Sequence, residues 1–360
     1  MLDQPLATSK MIAEKDGPIG RLIFNNPARH NAVSLEMWQA VTQIMDDFEQ
    51  DDAVRVIVVS GAGGRAFVSG ADISEFKERR ASEEAAAAYA KISEGARMRL
   101  QETLKPTIAM IRGYCIGGGV GTALACDMRI AAEGSKFGVP AAKLGLGYAY
   151  DGIKRLVDLV GPAHAREIFF TARQFTAEEA LRMGLVNQVV PDGELETYVN
   201  NYCEMIATNA PLTVRSAKVN IREALKDESA RDLALCKRLV DECFASADYA
   251  EGRTAEDCEE LAPPHRLPPA HGRRAAEDQL RRDVGDALAP GAVVIGGDRH
   301  TESAGPGLEL GTRHRRPAPV VGEERDKIGL HAPVTGRFRP QVAAHRARVG
   351  RGVKARSTVQ

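Results

Sequence analysis

Five β-branched residues fall within the seven of Val54–Ser60 (VRVIVVS), and so dense a run favours a strand. Two further runs, Arg21–Phe24 and Thr107–Ile111, read the same way. Between the first two, Leu35, Trp38, Val41, Met45 and Phe48 recur on one helical face, with Ser34 placed to cap the helix and Glu36 in its first turn. A second helix is expected over roughly 82–103, ending before Pro106, and a third from the glycines at 117–119 through Ala125. Strands alternating with helices predict an α/β layered core.

From about 152 onward helices dominate. Thr176-Ala-Glu-Glu179 is a capping box, and Ser229-Ala-Arg-Asp232 reads as a similar start signal. Ile206, Val214, Ile221 and Leu225, then Leu235, Leu239 and Phe244, supply apolar faces to cover the core or a neighbouring subunit. No apolar run approaches the roughly 20 residues of a membrane-spanning helix, and the N-terminus lacks a secretory or transit pattern. The six cysteines form no C-x-x-C, which argues against zinc and a disulfide framework and for a reducing cytoplasm; no metal site is expected.

The chain changes character near residue 256. Its 360 residues carry a formal net charge of −1, but residues 261–360 hold 18 Lys+Arg against 10 Asp+Glu, with 16 of the 18 being Arg. That stretch also carries 10 of the 18 prolines, 6 of the 8 histidines and one aromatic, Phe338. Residues 256–360 are therefore expected to be a basic tail that does not fold independently.

Two glycine clusters bear on chemistry. Gly61-Ala-Gly63-Gly-Arg-Ala66 imitates a dinucleotide fingerprint, but no helical period follows and no acidic residue closes a second strand, so a turn plus a loop is expected. Gly113-Tyr-Cys-Ile-Gly117-Gly118-Gly119-Val-Gly121 ends a strand and opens a helix, whose free N–H groups suit a developing negative charge; close helix–strand packing would demand the same glycines. No Lys-Ser/Thr follows, which excludes a P-loop.

These residues, in order, resemble the crotonase (enoyl-CoA hydratase/isomerase) superfamily. The matching segments are Pro27–Ala32, Arg65–Ile73, Gly113–Gly119 with Cys126–Ala131, Phe137–Pro140 and Gly184–Val190, within a resemblance spanning about residues 10–255. It implies a spiral core of ββα units in residues 1–195, a helical trimerisation region in 196–255 forming a homotrimer or a dimer of trimers (homohexamer), and an acyl-CoA substrate. It implies an oxyanion hole from the backbone N–H groups of Ala71 and Gly118. Arg29, Ala32, Ala71, Asp72, Ile73, Ser74 and Gly118 would contact coenzyme A, which enters as part of the substrate rather than as a cofactor. A lyase or isomerase of fatty acid metabolism is the activity class so implied.

One departure matters. Hydratases of this family carry glutamates two residues beyond the triple glycine and just after Phe-Gly-x-Pro, where they hold water and move its proton. Here those positions are Gly121 and Ala141, neither of which carries a proton. Tyr148 and Asp151 are the remaining candidates at the acyl end. By resemblance, Tyr148 matches a malonyl-type decarboxylase, although that enzyme has histidine at the position of Ala71. Asp151 reads either as a helix N-cap or as a relocated acid/base. Alternatives to the hydratase/isomerase reading are therefore a malonyl-type acyl-CoA decarboxylase using Tyr148, and a non-catalytic CoA-ester-binding protein. Nucleic-acid binding would rest on the tail alone and is not expected. The tail itself replaces the family's Phe/Lys-rich ending; an out-of-frame ending or a genuine basic arm would each produce it, and reading the gene's other two frames decides between them.

Overall fold

A computed structural model of the chain describes residues 5–72 and 83–256, with side chains over 5–72 and 87–253. Among the described residues, ten strands form two sheets. The larger, in spatial order, joins β1 (Met11–Asp16), β2 (Ile19–Phe24), β3 (Val56–Gly61), β5 (Thr107–Ile111), β7 (Met128–Ala132) and β10 (Gln188–Val190). The smaller joins β4 (Ala66–Val68), β6 (Tyr114–Ile116), β8 (Lys136–Gly138) and β9 (Phe175–Thr176). Three successive strand pairs, β3–β4, β5–β6 and β7–β8, each place their first strand in the large sheet and their second in the small one. A helix follows each pair: α2 (Glu83–Glu102), α3 (Gly118–Leu124) and α4 (Ala141–Leu144). This repeat is the expected spiral of ββα units.

Burial explains why VRVIVVS is continuous rather than alternating. Val56 and Val58 point to one side of β3, where Ile108, Ile130, Leu195 and Val199 meet them. Ile57 and Val59 point to the other side, into the main core with Leu22, Ala109 and Ile111. Parallel strands covered on both faces need apolar residues at every position. The first helix, α1 (Leu35–Gln50), buries Trp38, Val41, Met45 and Phe48 as expected, and the Ser34 side chain accepts from the Met37 N–H at 3.3 Å. Thr176 and Glu179 form the expected reciprocal capping box at 3.2 and 2.8 Å.

Several expectations need correction. The strand over 54–60 begins at Val56, where its parallel pairing with β2 starts opposite Ile19, while the Val54 N–H ahead of it is turned back to the Asp51 carbonyl. The hairpin strand β1 was not anticipated: MIAEKD is short and half polar, and only its pairing with β2 makes it a strand. The turn after Gly61 leads into the three-residue strand β4 rather than remaining a loop. Ser229 lies in a single 3-10 turn, Glu228–Ala230; the cap of the helix Leu233–Phe244 is Asp232, which accepts from the Leu235 N–H at 2.8 Å. Ile73, Ser74, Cys258 and the expected tail beyond Glu256 lie outside the described residues. No helix among the described residues is long and apolar enough to cross a membrane.

Candidate active site

The Pro27–Ala32 segment is a single 3-10 turn followed by two left-handed residues, His30 (φ 52) and Asn31 (φ 55). Asn31 is fully buried and ties three strands of chain together. Its amide nitrogen donates to the Ala62 and Ala66 carbonyls at 3.0 and 2.7 Å, and its oxygen accepts from the Asn26 N–H at 2.8 Å. The turn so held presents Arg29, which pairs with the buried Asp72 at 3.0 Å. His30 stacks on Tyr114 with ring centroids 5.9 Å apart. Val33 bridges in parallel to Ala71, with Val33 N–H donating to Gly70 O at 2.8 Å and Asp72 N–H to Val33 O at 3.0 Å. Arg29, Ala32, Ala71 and Asp72, four of the residues expected to contact coenzyme A, thus share one loop cluster.

Gly118 joins them from the other glycine cluster. It is the first residue of α3, and Gly117 adopts φ 57, a left-handed turn suited to glycine, just before it. A side chain at Gly118 would stand 3.6 Å from the Gly70 Cα and 3.8 Å from the Gly70 carbonyl carbon, the atom bonded to the Ala71 nitrogen. The two peptide segments are therefore neighbours. Among the described residues, neither the Ala71 nor the Gly118 N–H has an acceptor. At Gly119 an added Cβ would overlap the Val68 carbonyl, so that glycine serves helix–strand packing. Close packing thus accounts for Gly119, while Gly118 opens the helix beside the Gly70 backbone.

The two positions at which the family resemblance leads one to expect glutamates are Gly121 and Ala141. Ala141 is buried at the start of α4. Gly121 faces a side chain that sequence reasoning missed: an added Cβ there would lie 3.4 Å from the Arg97 Nε. Arg97 comes from α2 and rests over the Trp38 ring, 4.6 Å from its centroid. Its Nη1 donates to Glu94 at 3.2 Å, and Glu94 also accepts from Arg155 at 2.7 Å. No local motif marks Arg97 within an alanine- and glutamate-rich helix. The one available signal was indirect, the missing side chain at Gly121.

Tyr148 is half-buried, packed edge-on against Phe169 at 5.1 Å. Burial pushes its hydroxyl pKa up, while the charge of Arg97 draws it down. The hydroxyl has no hydrogen-bond partner among the described residues. Asp151 does not cap its helix: α5 (Tyr150–Thr171) starts one residue earlier, its N-cap is Ala149, and Asp151 is exposed in the first turn. An N-cap must precede the first helical residue, which Asp151 does not. Tyr150, the first residue of α5, is also exposed. Asp127 is structural: it accepts from the Thr107 N–H and hydroxyl at 2.7 and 2.9 Å and from Lys218 at 2.8 Å. Cys115, inside the glycine motif, is fully buried with its thiol pKa pushed up, the opposite of an activated nucleophile.

Comparison with known proteins places the chain in a family. The family model for enoyl-CoA hydratase/isomerase matches residues 14–261. The chain is 34% identical over 247 residues to the short-chain-enoyl-CoA hydratase of Clostridium acetobutylicum, spanning 69% of this chain and 94% of that protein. It is 35% identical over 254 residues to the crotonyl-CoA hydratase of Syntrophomonas wolfei, with 69% and 95% covered. Among solved structures it resembles an enoyl-CoA hydratase/carnithine racemase of Magnetospirillum magneticum at 34% identity and TM-score 0.66, covering 70% and 94%. The enoyl-CoA hydratase of Bacillus anthracis matches at 28% identity and TM-score 0.66, covering 71% and 98%.

Proposed function

Because the chain belongs to the enoyl-CoA hydratase/isomerase family, we propose that it is an acyl-CoA enzyme stabilising a thioester enolate with the backbone N–H groups of Ala71 and Gly118. The observation that carries this reading is the close approach of the Gly70–Ala71 peptide to Gly118, with both N–H groups lacking acceptors. Two fixed donors polarise the thioester carbonyl and strengthen as charge moves onto its oxygen. One such donor typically contributes ~10²–10³ in rate. The start of α3 adds its dipole to the Gly118 donor.

Coenzyme A would lie along the cluster of Arg29, Ala32, Ala71 and Asp72, with Ile73 and Ser74 continuing it. Arg29 keeps free donors for phosphate beyond its bond to Asp72. Neither a metal nor a separate cofactor is required for enolate chemistry of this kind. The helices after residue 195 leave Ile221, Leu225, Leu233 and Phe244 exposed, a face suited to the trimer contact of a homotrimer or homohexamer.

Proton transfer is where this chain departs from the glutamate pair that the family resemblance leads one to expect. With Gly121 and Ala141 unable to carry a proton, Tyr148 and Asp151 are the candidate acid/base groups of the acyl end. A second reading, decarboxylation of a malonyl-type thioester oriented by Tyr148, draws on that same loss and on Tyr148 lying within the field of Arg97. Decarboxylation needs an enolate site but no base to take a carbon-bound proton.

The test is to mix the protein with crotonyl-CoA and follow the conjugated enoyl-thioester absorbance, with Tyr148→Phe and Asp151→Asn in parallel. Hydration lost in either variant supports replacement of the missing glutamates by that residue. No hydration from a folded protein that binds CoA esters rejects the hydratase activity for this substrate. Carbon dioxide release from malonyl-CoA would then support the second reading, and binding without turnover of either thioester would mark a non-catalytic CoA-ester-binding protein.

A further inference from the structure

Arg97 has an occupied edge, an occupied face and an open edge. Its Nη1 is committed to Glu94 at 3.2 Å and its face to the Trp38 ring. Trp38 is itself held by its indole N–H donating to the Tyr89 hydroxyl at 3.2 Å. The remaining edge, Nε with Nη2, is turned toward the glycines: Nε lies 3.4 Å from a Cβ added at Gly121, and Nη2 3.8 Å from one added at Gly118. Nε is buried and makes no hydrogen bond, and Nη2 has no partner among the described residues. A buried guanidinium donor left unpaired in a native protein calls for an explanation. Nε–H and one Nη2–H project in parallel, the side-on fork that matches the two oxygens of a carboxylate.

The charge balance points the same way. Arg97 and Arg155 share one carboxylate, Glu94, at 3.2 and 2.7 Å. Among the described residues no second acid pairs with either arginine, so the cluster carries a net positive charge beside the glycine turn. Ordinary apolar acyl chains supply nothing to balance it.

We infer that Arg97 recognises a carboxylate carried by the acyl chain, so that the substrate class is the CoA thioester of a dicarboxylic acid. The inference rests on the acyl-CoA reading above. An arginine fork stabilises a carboxylate more than the carbon dioxide it would become, so it favours an acid group carried through the reaction over one that leaves.

The test measures binding of glutaryl-CoA and pentanoyl-CoA, which differ by carboxylate against methyl, to the full chain by calorimetry. The expected result is at least tenfold tighter binding of glutaryl-CoA. Arg97→Gln should abolish that preference while leaving pentanoyl-CoA affinity within about twofold, and Arg97→Lys, with charge but no fork, should retain part of it. Should Arg97→Gln fail to fold, the Arg97→Lys ratio alone decides. A purely structural Arg97 would weaken both thioesters together, which overturns the proposal. Equal binding of the two thioesters by the parent protein, or a preference that survives substitution, also overturns it while sparing the acyl-CoA reading. Failure of both thioesters and of free coenzyme A to bind overturns both. Carbon dioxide release from malonyl-CoA that Arg97→Gln abolishes would refute the carried-through carboxylate.

Discussion

Replacing Asn31 tests whether one buried amide holds the loop cluster together. Asn31→Ala removes three hydrogen bonds at 2.7, 2.8 and 3.0 Å and leaves the buried Ala66 carbonyl and the Asn26 N–H without their side-chain partner. Partial compensation by water or secondary bonds is typical, so the hydrogen-bond loss amounts to about 2–4 kcal/mol. Alanine also tolerates φ 55 less well than asparagine, which adds about 1 kcal/mol. Asn31→Gly loses the same hydrogen bonds but relieves the backbone, and should recover about 1 kcal/mol relative to alanine. Asn31→Asp keeps the acceptor for Asn26 yet turns carboxylate oxygens toward two carbonyls, so it should be no more stable than alanine. Urea unfolding at one fixed protein concentration, followed by circular dichroism, gives the comparison. Stabilities of the alanine and glycine variants within about 1 kcal/mol of the parent would refute the hydrogen-bond argument. A glycine variant less stable than alanine would refute the backbone part alone.

Two further outcomes follow from packing and titration. Gly119→Ala forces a methyl group into the Val68 carbonyl, and because that contact is backbone the strand leading to Ala71 must shift; a stability loss of about 1–3 kcal/mol is expected, measured by the same unfolding assay, with any thioester turnover reduced further. Glu179 has its pKa lowered from 4.5, first by the hydrogen bond from the Thr176 N–H and then by Arg173. Its folded pKa being depressed, its stabilising contribution is full above 4.5 and disappears as pH falls through the lower folded value. Glu179→Gln should therefore flatten the acid side of a melting-temperature profile below about pH 4.5 while leaving its neutral side parallel to the parent's.

Local chemistry explains which elements were legible. The Ser34 and Thr176 caps, the apolar stripe of α1 and the glycine start of α3 each depend on residues within a turn or two of one another. Their free energy is decided locally, so pattern alone finds them. β1 and β4 were missed because short strands owe their existence to a partner, Ile19–Phe24 for one and Tyr114–Cys115 for the other. Asp151 and Ser229 show the converse: each has the right residue type for a cap, but the neighbouring backbone starts its helix at a different residue.

For the site, sequence order alone determined the family, the two glycine-bearing segments and the identity of Gly121 and Ala141, since identity at a motif position needs no coordinates. Tertiary structure alone decided that the Gly70–Ala71 peptide stands against Gly118 and that Arg97, brought from a helix before the motif, faces the gap at Gly121. It also decided that Asp127 fastens β5 to a distant helix through Lys218. Such contacts join residues tens of positions apart, and their geometry is set by how the two sheets and the helices between them close on a shared core. No periodicity along the chain encodes that distance.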